Sequence, residues 1–355
     1  MSTEAKRFAI AAGGTAGHVA PALAVADALR ADGAQVTFIG GERAEVELVT
    51  ASGYPLRRIA VEGLARGHPL RAARALVKAA SAFWRARALL SELRPDAVMG
   101  AGGYVAGPVG LAAVSRRIPL VLSEADSHLG ITNRLLARFA RRVCLAFPIE
   151  GREAPRYRVT GRPIPVADAE RGAARERLSI GAQETCVLVF GGSLGARTIN
   201  RAAIEAFAQG DFHVLHVCGR RDFAECSSKL LRKGYDLREY LDLASFAEAL
   251  AASDLVVARA GGSVFEIAAY GLPAILVPYP HAAADHQAAN ARWMADAGAA
   301  IVIADEELSA ARLAREVAAL LANPARLAAM AAVSRRLARP DAAREIAAEL
   351  MRAAA

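Results

Sequence analysis

The sequence predicts an α/β protein made of two parallel-sheet domains that face a cleft. Three observations carry this. Short apolar runs alternate with helical patterns along the chain. Each half opens with a strand followed by a glycine-rich turn, Gly13–Gly17 in the first and Gly191–Gly195 in the second. Between the halves lies a stretch of different character, 148–181, with Pro155, Pro163, Pro165, many charges and only short apolar runs.

The first half reads as strand Arg7–Ala11, helix Pro21–Ala31, strand Gln35–Ile39 and helix Ala44–Ala51. Strand Ala97–Met99, helix Val105–Ser115, strand Pro119–Leu122, helix Ile131–Ala140 and strand Arg142–Leu145 follow. The interdomain connection is placed near Arg162–Val166, giving domains 1–163 and 164–355. The alternation restarts with strand Cys186–Phe190, helix Arg197–Ala208, strand His213–Val217 and helix Ser245–Ala252. Strand Asp254–Ala258, helix Ser263–Tyr270, strand Pro273–Val277 and helix His286–Ala297 complete the second sheet. Three helical segments close the chain, and the last is allowed to pack back on the first domain. A chain of 355 residues suits two cores better than one.

A composition of 54% hydrophobic and 23% charged residues is that of a globular protein. The net charge of +8 suits an anionic partner, though an arginine-rich proteome explains it equally well. Aromatics are only 6%, and no basic stretch is interleaved with them, which argues against nucleic acid. Cys144, Cys186, Cys218 and Cys226 form no CxxC pair and read as reduced core residues of a cytoplasmic protein. No signal peptide fits the N-terminus. Ala97–Ser115 is uncharged, but Gly100, Gly102, Gly103, Gly107, Pro108 and Gly110 make it strand, loop and short helix rather than a membrane span.

The two turns carry the chemistry. A strand, a glycine-rich loop and a helix N-terminus together present backbone N–H groups and a partial positive charge, for which phosphate is the natural guest. Tight strand–helix packing explains a single such turn about as well. Two in matching positions weaken that explanation. Neither turn contains GxGxxG, Gln35–Ile39 ends in Gly40-Gly41 rather than a ribose-binding acid, and GxxxxGK[ST] is absent. A nucleotide diphosphate fits better than a dinucleotide or a P-loop nucleotide.

A third loop, Arg259–Ser263, leads from strand to helix, with Ser263 as an extra donor and Glu266 in the first turn. A carboxylate there suits a ribose diol, and equally complements the helix dipole. Asp285-His286-Gln287 with Asn290 suits a hydroxyl-rich ligand, the alternative being that Asp285 caps the helix. His18 ends the first glycine loop and is the best candidate for a base near neutral pH, the alternative being a structural histidine. Asp126 and Glu124 are the carboxylate alternatives.

Together, GGTAGHVAPALAVADAL, GGYVAGP, TNRLLARFA, GGSLGARTIN, ARAGGSVFEIAAYGLPAILVPYP and DHQAANA resemble the MurG family of bacterial glycosyltransferases, in order and over nearly the whole chain. The resemblance implies a GT-B fold of two Rossmann-like domains and an inverting transfer without metal or other cofactor. The donor is UDP-GlcNAc. The acceptor is the 4-hydroxyl of the MurNAc unit of undecaprenyl-linked lipid I, and the product is lipid II for peptidoglycan. It makes 1–163 the acceptor and membrane-facing domain and 164–355 the UDP-GlcNAc-binding domain. It places Thr15, Ala16 and Gly17 at the first-loop ligand positions and Ser193 at the donor diphosphate. Leu241 falls beside the uracil, Glu266 at the ribose, and His286 and Gln287 near the GlcNAc hydroxyls.

The chain departs from the family at several points. Ala16 stands where glycine is usual, and Asp126 replaces an asparagine assigned to ligand contact. Gly161-Arg162-Pro163-Ile164-Pro165 lacks the usual arginine, whose charge Arg162 is then expected to supply. The same scaffold serves UDP-GlcNAc epimerases, transferases for other lipid acceptors and non-catalytic sugar-nucleotide binders, which stand as rival readings. A lipid acceptor implies a peripheral enzyme at the cytoplasmic face of an anionic inner membrane. Leu64–Arg94 offers a surface for it, with Arg66, Arg71, Arg74, Lys78, Arg85, Arg87 and Arg94 against Glu92 alone. Leu70, Leu76, Val77, Phe83 and Trp84 form its apolar side. The same pattern describes a helix packed on a sheet with a solvated basic face.

Overall fold

The computed structural model describes residues 5–14, 16–61, 69–165, 169–192, 194–229, 232–282 and 285–355, with backbone alone at 16, 44, 69–77 and 79. The strands are β1 Arg7–Ala11, β2 Gln35–Gly40, β3 Leu56–Arg58, β4 Ala97–Gly100, β5 Leu120–Glu124, β6 Arg142–Leu145 and β7 Tyr157–Val159. Then come β8 Cys186–Phe190, β9 His213–Val217, β10 Tyr235–Arg238, β11 Leu255–Ala258, β12 Ala274–Leu276 and β13 Ala300–Val302. The helices are α1 Ala16–Ala31, α2 Ala44–Ala51, α3 Pro69–Leu93, α4 Gly103–Ser115, α5 Ile131–Leu136, α6 Arg171–Arg177 and α7 Arg197–Ala206. They continue as α8 Phe223–Ser227, α9 Leu243–Ala252, α10 Val264–Ala269, α11 His286–Ala297, α12 Ala310–Leu321, α13 Pro324–Leu337 and α14 Ala342–Ala353.

The chain forms two compact units, Met1–Pro165 with Arg339–Ala355, and Val166–Ala338. The first holds a seven-stranded sheet ordered β3-β2-β1-β4-β5-β6-β7, and the second a six-stranded sheet ordered β10-β9-β8-β11-β12-β13. Every pairing in both is parallel. Both sheets reverse their winding beside their first strand, between β1 and β4 and between β8 and β11. Ligands in this class bind at the carboxyl ends of strands at such a point.

In the first unit the strand period of two sorts the core. Phe8, Ile10 and Met99 pack on one face with Val19, Val25 and Leu29 of α1 and Ile346 and Leu350 of α14. Ala9, Ala11 and Val98 pack on the other with Leu90, Val109 and Leu136. The second unit packs Val187, Val189, Val257 and Ile275 against Ile199, Leu313 and Val317. Helix α14 is held by Glu349, only 4% exposed, which accepts from Arg142 Nε at 3.0 Å, Arg158 at 3.0 Å and Arg352 at 2.7 Å.

Several expected boundaries shift, and three of the shifts bear on the site. Helix α1 begins at Ala16 rather than Pro21, and Pro21 lies inside it. Proline has no N–H, so the carbonyl of Gly17, four residues earlier, loses its intrahelical donor. Arg162 supplies one from its guanidinium. The expected helix 131–140 ends as α5 at Leu136 and continues as one 3-10 turn, Ala137–Phe139. Strand β5 runs to Glu124, which puts that carboxylate at the strand's carboxyl end.

Segment 97–115 divides into β4 and α4, and among the described residues no single helix is long and apolar enough to cross a membrane. All four cysteines are free and buried.

Candidate functional site

Each unit carries its candidate residues in the loops at the carboxyl ends of its strands.

In the first unit the loop after β1 packs against the N-terminus of α4. Gly103 is in the left-handed region at φ +73°, and a Cβ there would collide with the carbonyl oxygen of Gly13, so only glycine permits this approach. The loop is tied from below by Glu45 of α2, which is fully buried. Its Oε2 accepts from Gly14 N–H at 3.0 Å and its Oε1 from Gly41 N–H at 2.7 Å. The amide of Gly14, expected to face a phosphate, is therefore used by the protein itself. Glu45 went unnoticed in the sequence because a glutamate in a first helical turn reads as dipole complement.

His18 sits in the first turn of α1, half-buried, and its ring lies so close to Gly102 that a Cβ there would come within 2.8 Å of Cδ2. Burial lowers its pKa, the charge of Asp126 raises it, and that of Arg162 lowers it again. The net effect is downward, which keeps the imidazole neutral and able to accept a proton at neutral pH. The structure thus brings His18, Asp126 and Arg162 into one electrostatic group.

Arg162 donates to the carbonyl of Gly17 at 2.5 Å and to that of Ala125 at 3.4 Å. These are the residues immediately before His18 and Asp126. The guanidinium, expected to meet ligand charge, bridges two backbone carbonyls.

Glu124 is 6% exposed and structural. Its Oε1 accepts from Asp126 N–H at 3.2 Å, and its Oε2 accepts from Gly130 N–H at 2.9 Å and from Asn133 Nδ2 at 2.9 Å. Burial raises its pKa against the pull of these three bonds. A carboxylate engaged in this way shapes the 125–130 loop and is poorly placed to shuttle a proton.

In the second unit the loop after β8 turns at Gly192, whose carbonyl accepts from Gly195 N–H at 2.9 Å. Gly195, at φ +80°, lies directly against the backbone of Cys218 and Gly219, where no Cβ fits. Beneath it runs a buried polar chain. His216 Nδ1 meets Tyr235 Oη at 2.8 Å and its Nε2 meets Asn200 Oδ1 at 3.0 Å. Asn200 Nδ2 donates to Cys218 O at 2.9 Å and Asp222 Oδ2 at 3.1 Å. Leu241 is half-buried in the loop between β10 and α9, and Asp242 beside it caps α9 by accepting from Ser245 N–H at 2.8 Å.

Ser263 stands in helical conformation just before α10 and its side chain makes no capping bond. Glu266 is half-buried in the first turn. His286 and Gln287 open α11, and Gln287 Oε1 accepts from Tyr279 N–H at 3.0 Å. Asp285 is left-handed at φ +53° and makes no capping bond, which removes the capping explanation for this cluster. Asn290 is buried, and its Nδ2 donates to Ala260 O at 3.0 Å, so it ties α11 to the third loop rather than facing a ligand. Thr15 and Ser193 lie outside the described residues, as does the side chain of Ala16.

With that geometry in place, the comparisons with known proteins are specific. Residues 8–145 match the glycosyltransferase family 28 N-terminal domain and residues 186–346 its C-terminal domain. A UDP-N-acetylglucosamine–N-acetylmuramyl-(pentapeptide) pyrophosphoryl-undecaprenol N-acetylglucosamine transferase of Moorella thermoacetica is 41% identical over 95% of this chain and 96% of its own. The crystal structure of Acinetobacter baumannii MurG superposes with a TM-score of 0.76 at 31% identity, covering 98% of this chain and 99% of that one. A putative UDP-N-acetylglucosamine 2-epimerase of Listeria monocytogenes reaches 0.70 at 16% identity over 97% of this chain and 95% of its own, a likeness of fold alone. The fold is therefore GT-B, the chain is a glycosyltransferase, and it belongs to the MurG branch of glycosyltransferase family 28.

Proposed function

We propose that this chain moves GlcNAc from UDP-GlcNAc to the 4-hydroxyl of the MurNAc unit of lipid I, giving lipid II, with inversion at the anomeric carbon. The observation that carries the reading is 41% identity, over 95% of the chain, to a transferase named for that reaction. The epimerase alternative rests on fold likeness alone, and Glu124, one of the two carboxylates it would use, is engaged by three hydrogen bonds.

In this reading the second unit holds the donor. Ser193 and the amides of the 191–195 loop other than that of Gly195, which is used within the turn, take the diphosphate, and Leu241 lies beside the uracil. Glu266 takes the ribose diol, Ser263 adds a donor, and His286 and Gln287 meet the GlcNAc hydroxyls. The first unit receives the acceptor at Thr15, Ala16 and Gly17, and His18 removes the proton of the attacking hydroxyl. The C1–O4 bond forms as C1–O(phosphate) breaks, and UDP departs with the bonding pair. Helix N-termini and loop amides stabilise the charge that develops on it. Asp126 holds the imidazolium as the proton arrives, while Arg162 limits that effect by its opposite charge. No step calls for a metal.

The enzyme works as a peripheral protein on the cytoplasmic face of an anionic membrane, in cell-wall growth, cell shape and division. Trp84 supports this, because it is 66% exposed on α3. Phe83 does not belong to that surface, since it packs against the core beside Leu90. Leu111, Ile131, Leu135 and Phe139 add exposed apolar area on α4, α5 and the following turn. Of the expected basic surface, residues 64–68 and the side chains of 69–77, which include Leu70, Arg71, Arg74, Leu76 and Val77, lie outside the described residues.

One assay tests the reading. Labelled UDP-GlcNAc is supplied with a lipid I analogue and excess chelator. Transfer of label to the lipid is the expected result. UDP release without acceptor, or epimerised donor, would refute it.

A further inference from the structure

The loops of the second unit meet at one ion pair that no ligand role absorbs. Arg259 follows β11 and is nearly buried, its side chain 10% exposed. Its guanidinium pairs with Asp305 Oδ1 at 2.5 Å. It also donates to Val277 O at 3.1 Å, Pro278 O at 3.2 Å and Thr198 Oγ1 at 2.9 Å. Thr198 in turn donates to Asp305 Oδ1 at 2.7 Å. The backbone N–H of Arg259 reaches Phe190 O at 3.4 Å.

Each partner marks the base of a different loop. Phe190 and Thr198 flank the 191–195 turn, and Arg259 opens the 259–263 loop. Val277 and Pro278 precede the segment leading to His286. Asp305 follows β13 and lies in none of them, yet it neutralises the arginine that joins them all. Without Asp305, a partly buried cation keeps only neutral acceptors, and the cost falls on the geometry of the loops it holds.

We propose that Asp305 is a positioning residue for the sugar nucleotide, acting through Arg259 and Thr198 to hold the three donor loops in register. It touches no substrate. Its effect is confined to donor binding, because its partners all lie at the carboxyl ends of β8, β11 and β12. The inference rests on reading the second unit as the donor half.

The test uses the full chain and UDP as the probe. UDP binding is measured by calorimetry for the unmodified enzyme and for Asp305→Ala, Asp305→Asn and Thr198→Val, alongside the KM for the lipid I analogue and the thermal midpoint. Asp305→Ala is expected to weaken UDP by about tenfold or more, since it strands a charged hydrogen-bond donor. Asp305→Asn keeps an acceptor for both partners and should recover most of the affinity. Thr198→Val, which removes only the bridging hydroxyl, should weaken UDP by about threefold. The acceptor KM should stay within about twofold in all three. If Asp305→Ala does not fold, the other two variants decide. UDP affinity equal to the unmodified enzyme's in Thr198→Val and the folded Asp305 variants overturns the proposal, as does an acceptor KM that rises in step with UDP dissociation. Failure of the unmodified enzyme to bind UDP overturns the donor reading itself.

Discussion

The carbonyl oxygen of Gly17 accepts a hydrogen bond from Arg162 at 2.5 Å. Pro21 deprives that carbonyl of its helical partner, and an arginine far along the chain satisfies it instead. The same guanidinium reaches Ala125 O. The proline that looked like a helix start is thus the reason a clamp exists between the segments carrying His18 and Asp126.

Arg162→Ala should therefore act on turnover more than on donor binding. We expect kcat to fall by about tenfold through misplacement of His18, with the KM for UDP-GlcNAc within about twofold. The sign of the pH effect follows from the charge. Arg162 lowers the His18 pKa, so its removal lets that pKa rise. The acidic limb of the kcat/KM profile should move to higher pH. Steady-state rates from pH 5.5 to 9 on the unmodified enzyme and the variant check both expectations. A raised donor KM with an unmoved profile would return Arg162 to the role of a ligand contact.

Glu45→Ala should destabilise the first unit. The carboxylate is fully buried and accepts two amide hydrogen bonds, from Gly14 and Gly41. Losing it strands both donors, at a cost of about 2–4 kcal/mol. Glu45→Gln should also be destabilised, but less, because its amide keeps one acceptor oxygen and turns an NH2 group toward the other N–H. Urea unfolding of the two variants would show this order.

How much of this was readable in advance depended on locality. The glycine turns, the central strands and the helices between them were legible because their signals lie within ten or so adjacent residues. The edge strands Leu56–Arg58, Tyr157–Val159, Tyr235–Arg238 and Ala300–Val302 were not. They are short and incompletely buried, so the apolar run that marks a central strand is missing. His18 stood out because a histidine ending a glycine loop is unusual. Glu45, Arg259 and Asp305 did not, because their meaning lies in partners 31, 61 and 107 positions away. Spacing along a sequence carries no trace of such pairs.

His216 gives the second unit an acid sensitivity of defined sign. It is fully buried between Tyr235 and Asn200, and burial lowers its pKa to about 4. The unfolded chain binds that proton near pH 6.5. The stabilisation is therefore complete above pH 6.5 and is lost as pH falls from there towards 4. A shift of this size corresponds to about 3 kcal/mol. Thermal midpoints measured from pH 7 to pH 4.5 should decline. The decline should be shallower in His216→Gln, which cannot titrate, and equal slopes would rule His216 out as its source.

Trp84 offers the sharpest check on membrane contact. It is the most exposed aromatic ring on α3, while Ala82, Ala86 and Leu90 of the same helix face inward. Its burial in a lipid interface would add apolar contact without disturbing the core. Trp84→Ser should weaken binding to vesicles containing anionic lipid by about tenfold and lower the unfolding midpoint only slightly, through the lost edge contact with Phe83. Phe83→Ser should do the reverse, because Phe83 packs inside the first unit. Its stability should drop, while the vesicle affinity of the folded fraction stays near that of the unmodified enzyme. Vesicle sedimentation at low and high salt separates the apolar part from the basic part, since only the second is screened. Equal sedimentation of Trp84→Ser and the unmodified enzyme at both salts would move the membrane surface away from this helix.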